Sequence, residues 1–501
     1  MKIMNKIIKF VCVTALAFGS VACNLDLAPK TSMGVDNIST AKDAAAMREG
    51  VYRLYRSIYL GEYVYYPDYQ SDLFNELSSS GNRGGFMYRH YIQASDTDVY
   101  NNWIRHYSIL ANINFLIGKI DAMYEGLSAE DQAAVDQYKG EMLIMRAATF
   151  RSLALRYCKD YEPSTAASDY GVPIVTSYDP NYRPDRGSMA DTYTQITKDI
   201  ADAEKLISAT GKANSAYITK DAITALKAQV ALDMHEYTNA SKYAASLYAA
   251  YPLVKSQAEL EKMWREDTSS ETIFQPAMTK TDLFGRFTDY HAGQWDDALG
   301  DYRCDAAYIP EQWVCDLYDT AKDWRYGPYV KEQHINQMED NKVTGIVLTK
   351  FMGNINLQTG GETQLGWYLM PKVFRVAEMY LIDAEAQYRQ SGKGLEPLNA
   401  LRPARGLDAL PDTTTGAALF QELKNERVRE MIAEGGRMPD LKRWGDGFTR
   451  NKQTARGLTF GQTGHDMKLA AGAPEFVWPI PRLEIEANAN LKGQQNAGWG
   501  E

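Results

Sequence analysis

Glu426, Glu430 and Glu434 recur at four-residue steps, so a helix through them carries three carboxylates on one face. Paired carboxylates are the machinery of glycoside hydrolysis, in which an acid and a base or nucleophile converge from a cleft on one bond. One helical face does not give that convergence, and Arg427, Arg429 and Arg437 are interleaved with the glutamates. Mixed charge of this kind makes a structural ion network, and that is the expected role. The chain has no Gly-x-Ser-x-Gly, His-Glu-x-x-His, Walker A or dinucleotide fingerprint, so no catalytic residue is assigned. Its six histidines are scattered and no Cys-x-x-Cys pair occurs, so neither a metal site nor a cofactor is expected. Cys304 and Cys315 could pair in an oxidising compartment or stay, with Cys158, as free thiols.

The other chemistry is aromatic. Tyrosine numbers 33, against 15 Phe and 9 Trp. A phenol has a flat apolar face and a polar tip, which suits hydroxyl-rich ligands such as sugars and equally suits half-buried helix packing. The rings gather in two stretches that lack a helical period. Residues 61–100 hold Tyr63, Tyr65, Tyr66, Tyr69, Phe86, Tyr88 and Tyr91 among Gly, Ser, Asn and Asp. Residues 264–370 run from Trp264 to Trp367, with room for short strands such as 345–351. Both read as long loop regions, where binding residues concentrate. A formal net charge of −10 argues against nucleic acid as a partner.

Elements must position these residues. Residues 1–9 supply a basic stretch with Lys2, Lys6 and Lys9, 10–18 supply an apolar run too short to span a bilayer, and Gly19, Ser20 and Ala22 lead to Cys23. That order predicts a lipoprotein signal peptide over residues 1–22 with acylation of Cys23, although Ser20 stands where the usual pattern has Leu. The alternative is an ordinary secreted protein cut near Ala22. Polar, proline-containing residues 23–37 would then tether a single domain, 38–501, to the lipid.

Within that domain Ala44, Met47, Val51, Leu54 and Ile58 form a helical stripe over 41–59, and the period returns over 103–124, 132–157, 191–208 and 219–251. Trp103 and Trp444 fall on such helices and are assigned to packing. Ala228, Ala231, Tyr237, Ala240, Ala244 and Pro252 lie at the offsets of a tetratricopeptide repeat of about 34 residues, with His235 and Glu236 in its turn. A second helix pair over 374–402 has Ala377, Ala384 and Tyr388 before a break at 391–394, and Leu398 and Leu401 after it. The expected architecture is mainly α: a tetratricopeptide-like helix-pair scaffold, with repeats about 191–252 and 374–445, and a loop-rich irregular subdomain.

Four phrases on these elements resemble the SusD/RagB family of outer-membrane nutrient-binding lipoproteins. They are Met145, Arg146 and Phe150 with Leu155, Arg156 and Tyr157, followed by Gly171, Val172 and Pro173; Ala377 to Leu381 with Asp383, Glu385 and Arg402; Glu426, Arg427, Glu434, Gly435, Asp440, Arg443 and Trp444; and Trp478, Pro479, Ile480 and Pro481 with Asn496 and Trp499. The resemblance implies lipid anchoring in the outer membrane, facing the exterior, and capture of a glycan for a SusC-like TonB-dependent transporter. It implies no catalysis. Alternatives are a lid that binds peptide or another nutrient and, furthest from the resemblance, a glycoside hydrolase. Family ligand contacts come from loops outside the repeats, which selects Tyr290, Trp295, Trp324 and Trp367 for stacking, with Asp72, Asn82 and Arg83 as polar partners. For each ring the competing role is core packing or the transporter interface.

Overall fold

A computed structural model describes residues 38–336, 343–358, 365–454, 457–461 and 463–500. The expected leader, Cys23 and the tether lie outside the described residues.

Helix α1 (Ala41–Arg56) begins where sequence says it should. The Thr40 side chain accepts from the Asp43 N–H while Asp43 reaches back to the cap, and Ala44, Val51 and Tyr55 turn into the core. The long helices α3 (Thr97–Met123) and α4 (Ala129–Tyr157) pack on each other and on α1. Helix α5 (Met189–Leu206) carries its own capping box, Ser188 with Asp191. Arg146 of α4 clamps α5 through two bonds to Asp199, at 2.6 and 2.8 Å, and donates to Asn114 of α3 at 2.8 Å. One buried guanidinium thus fixes three helices, in the fork geometry that only arginine offers.

The repeat-like hairpins form as spaced. Helices α6 (Lys220–Asp233) and α7 (Tyr237–Ala245) meet over buried Ala228, Ala231, Ala240 and Ala244, and His235 makes the turn at φ +61°. Helices α8 (Val376–Ser391) and α9 (Leu395–Leu401) flank a turn containing Gly394 at φ +118°, where any side chain would strike the Ala384 carbonyl. Helices α10 (Gly416–Met431) and α11 (Arg437–Trp444) follow, and Trp103 and Trp444 are both buried.

The irregular regions hold more structure than their period suggested. Residues 61–100 are no continuous loop: helix α2 (Glu62–Tyr69) and the single turn Gly85–Tyr88 lie within them. Tyr63, Val64, Pro67, Asp68 and Tyr69 of α2 are all buried, so the helix has no polar stripe to set a period. In the second region β1 (Gly293–Asp296), β2 (Asp301–Cys304), β3 (Val330–Ile335) and β4 (Thr344–Leu348) form one sheet in that order. Its pairs are antiparallel, parallel and antiparallel, with Val330 opposite Leu348. Cys158, Cys304 and Cys315 are buried, and the expected alternative of a Cys304–Cys315 disulfide is not formed. One hydrophobic core lies among the helices; a second, rich in rings, joins α2 to the sheet region. Among the described residues no helix is long and apolar enough to cross a membrane.

Candidate functional site

Glu426 and Glu430 lie on α10, but the helix ends at Met431 and Ala433 takes φ +63°, so Glu434 falls in the turn beyond it and the expected three-carboxylate helical face holds only two. All three glutamates are nonetheless met by cations. Arg325 bonds Glu426 at 2.6 Å and Glu430 at 3.2 Å; Arg375 and Arg405 bond Glu430 at 2.7 and 2.8 Å; Lys350 bonds Glu434 at 2.6 Å. Burial works against ionised Glu426, but Arg325 and Arg429 outweigh it and hold its pKa to about 2. Burial likewise opposes ionised Glu430, yet Arg405 and Arg375 keep it well below the usual range. Glu426 and Glu430, so committed, neither give nor take protons near neutral pH, which agrees with the network role. Of the interleaved arginines only Arg429 pairs with one of these glutamates, Glu426 at 2.7 Å; Arg427 pairs with Asp440 and Arg437 with Asp72.

The two aromatic regions converge. Strand Phe74–Glu76 pairs antiparallel with Tyr308–Pro310. Tyr69 stacks on Tyr308 with ring centres 3.7 Å apart, Tyr65 stacks on Tyr69 at 5.1 Å, and Tyr290 meets Tyr65, Tyr69 and Phe74 at 6.0, 5.7 and 4.9 Å. Tyr290 is the floor of this cluster, 0% exposed, so its expected stacking on a ligand is corrected: no ligand reaches it. Asp72 also needs correction. It is buried and accepts from Nε and Nη2 of Arg437, each at 2.8 Å, anchoring α11 instead of waiting for a hydroxyl.

Arg83 and Asn82 are exposed. Arg83 bridges the regions by bonding Asp289 at 3.3 Å, and Asn82, at φ +65°, accepts from Arg89. Trp295 is 38% exposed on β1, its Nε1 donating to Asp297 at 2.9 Å. Trp324 is half-buried, its ring against Gly406, where any Cβ would collide with it. Trp367 is half-buried at φ +55°, with Nε1 buried and unpartnered. Among the described residues no ring contact joins these three tryptophans, so they do not form one platform.

What does gather at the rim of the tyrosine cluster was missed in sequence. Tyr65 and Tyr66 of α2 are half-buried, edge to face at 5.2 Å. Glu62 opens the same helix, Asp98 opens α3, and Asp289 comes from the second region. Burial raises the pKa of all three acids, and Asp98 adds to the effect on Glu62. Burial and these same three carboxylates push the Tyr65 and Tyr66 phenols up, so both stay protonated donors. Arg105 lies 5.9 Å from the ring centres of both Tyr63 and exposed Phe284. The signal was present: Glu62, Tyr65 and Tyr66 are three and four residues apart, one face of a helix. The result is a face of part-exposed rings bordered by carboxylate acceptors and phenol and guanidinium donors. Such a face can stack the C–H side of a pyranose and bond its hydroxyls.

A cavity of about 200 Å³ lies behind this face, with Tyr63 and Phe287 in its wall. It is smaller than the roughly 300–1,000 Å³ of usual small-ligand pockets, and a chain-like ligand needs an open strip. Among the described residues no three His, Cys, Asp or Glu side chains gather to hold a metal ion.

Two family models match the chain, one described as the SusD family over residues 295–499 and one as "starch-binding associating with outer membrane" over residues 25–232. A stretch of 128 residues is 36% identical to starch-binding protein SusD of Bacteroides thetaiotaomicron, covering 25% of this chain and 21% of that protein. The fold matches a SusD superfamily protein from the same organism with TM-score 0.73 at 24% identity, over 91% of this chain and 99% of that one. It also matches a SusD-like carbohydrate binding protein from Bacteroides vulgatus with TM-score 0.73 at 19% identity, over 91% and 98%. The chain belongs to the SusD/RagB family.

Proposed function

We propose that this protein binds an oligosaccharide at the cell surface and passes it, uncleaved, to a SusC-like TonB-dependent transporter in the outer membrane. The observation that carries the reading is the convergence of two distant aromatic segments into one face, with Tyr65, Tyr66 and Phe284 as ring surfaces and Glu62, Asp98, Asp289 and Arg83 as polar contacts. Exposed Asn82 adjoins Arg83 in the chain, Trp295 offers a further exposed ring, and Trp324 and Trp367 add only their exposed edges. Acylation of Cys23 would hold the protein beside its transporter, and two partners in one membrane need only modest affinity for each other. Binding without cleavage is supported by the commitment of Glu426, Glu430 and Glu434 to arginine and lysine. The starch- and carbohydrate-binding names of the relatives point to the same ligand class.

The test is a titration of the soluble chain, begun after Cys23, against a panel of polysaccharides and peptides. Saturable glycan binding that Tyr66→Ala weakens about tenfold is expected. Peptide binding with no glycan binding would replace this reading with a peptide-binding lid, and released reducing sugar would mark a hydrolase.

A further inference from the structure

The cavity behind the aromatic face has no part in the glycan reading; its wall carries the carboxylates Glu378, Glu434 and Asp440, each already ion-paired, and its unmet polar atoms are all of one kind. Helix α4 supplies Ser152 and Arg156, and Trp264, Arg375 and Arg427 come from three other segments. A second cavity of about 90 Å³ shares Ser152, Arg156 and Gly435 with it and adds Gln70. On the residues of these two walls the buried side-chain atoms without a partner are Arg156 Nη1, Arg375 Nε, Arg427 Nη1, Trp264 Nε1 and Gln70 Nε2. All five are donors, and three belong to guanidinium groups. Among the described wall residues no acceptor is left unmet in the same way.

Arg156 is the least compensated cation of the set. Its Nη2 donates to the Tyr63 carbonyl at 2.9 Å and its guanidinium lies 4.9 Å from the Trp478 ring centre. Among the described residues no carboxylate pairs with it, whereas Arg151, Lys372, Arg375, Arg427 and Arg443 all meet one. Burial lowers its pKa to about 10, which leaves it charged at neutral pH. A buried charge and unmet donors are costly unless an occupant answers both. Water accepts hydrogen bonds but brings no charge. An oxyanion presents several acceptor oxygens and neutralises the guanidinium, in the charge-assisted geometry arginine favours. About 200 Å³ also exceeds what a single water requires.

We propose that the paired cavities form a binding site for a small oxyanion, a carboxylate or a phosphate, seated on Arg156 where the helical core meets the aromatic one. This goes beyond the glycan reading and does not depend on it.

Inorganic phosphate, acetate and citrate, each titrated calorimetrically into the full protein at constant ionic strength, test the site. Saturable one-site binding by at least one of them is expected, with a melting temperature that rises with its concentration. Which of them binds identifies the oxyanion class. Arg156→Gln should weaken that binding at least tenfold. Gly436→Leu keeps every charge and adds volume at a wall glycine with nothing within 4 Å of a new Cβ, and it should weaken binding as well. This second variant keeps the test decisive if Arg156→Gln does not fold. Absence of saturable binding by all three anions, which is the result for water alone, would overturn the proposal. So would affinity unchanged in the folded variants. Glycan affinity, measured on the same samples, should be unaltered, so failure of one site is distinguishable from failure of the other.

Discussion

Two groups of acidic side chains sit about the ring-rich core, and they have opposite electrostatic fates. Glu426, Glu430 and Glu434 are enclosed by Arg325, Arg375, Arg405 and Lys350, and the first two are held strongly ionised. Glu62 is half-buried, Asp98 exposed and Asp289 buried; among the described residues only Asp289 meets a guanidinium, Arg83 at 3.3 Å, and all three are raised in pKa. Residue type does not separate the groups, because all are carboxylates. The number of guanidinium groups within reach does. Full pairing makes a carboxylate a structural part, while incomplete pairing beside part-exposed rings leaves acceptor capacity for a ligand.

The largest expected effect breaks the paired group. Glu430→Gln removes the charge shared by Arg325, Arg375 and Arg405, and urea unfolding should report a loss of about 3–5 kcal/mol, since buried cations are then left uncompensated. Acidification should act in the same direction. The pKa of Glu426 is held to about 2 against an ordinary 4.5, so its stabilisation is complete above the ordinary value and is lost as pH falls from about 4.5 toward 2. Thermal melts between pH 7 and 3 should therefore show the fall beginning below about pH 4.5.

Glu62→Gln sharpens the contrast. Burial and Asp98 disfavour its ionised form, so neutralising it should leave stability within about 0.5 kcal/mol of the parent or slightly higher. Glycan affinity should fall about tenfold, the loss of one charge-assisted hydrogen bond. Tyr290→Phe should be the smallest change. Its hydroxyl is buried and unpartnered, so unfolding should show equal or greater stability, and glycan titration unchanged affinity.

Much of this fold is legible in the sequence wherever local spacing decides the outcome. The alanines of α6 and α7 predict the hairpin they form, and the four-residue step of Glu426 and Glu430 predicts the helix that carries them, although that helix ends before Glu434. Helix α2 escaped because five of its eight residues are buried, Asp68 among them, and its half-buried face carries rings as well, so no polar stripe marks a period. The site was legible only in outline. The two aromatic stretches could be located, but not which rings stay accessible, because that depends on partners far away in sequence. Tyr290 is covered by Tyr65, Tyr69 and Phe74, and Asp72 is taken by Arg437, 365 residues further on. Glu62, Tyr65 and Tyr66 could have been chosen from their spacing had α2 been recognised.

Glycan titration of the parent chain, Glu62→Gln, Tyr66→Ala and Tyr290→Phe, with a melting curve for each, tests the central claim most directly. Glu62→Gln and Tyr66→Ala should bind about tenfold more weakly at near-parent melting temperature, and Tyr290→Phe should keep the parent affinity. Parent affinity in Glu62→Gln and Tyr66→Ala, from folded samples that still bind glycan, would place the ligand elsewhere and contradict the claim.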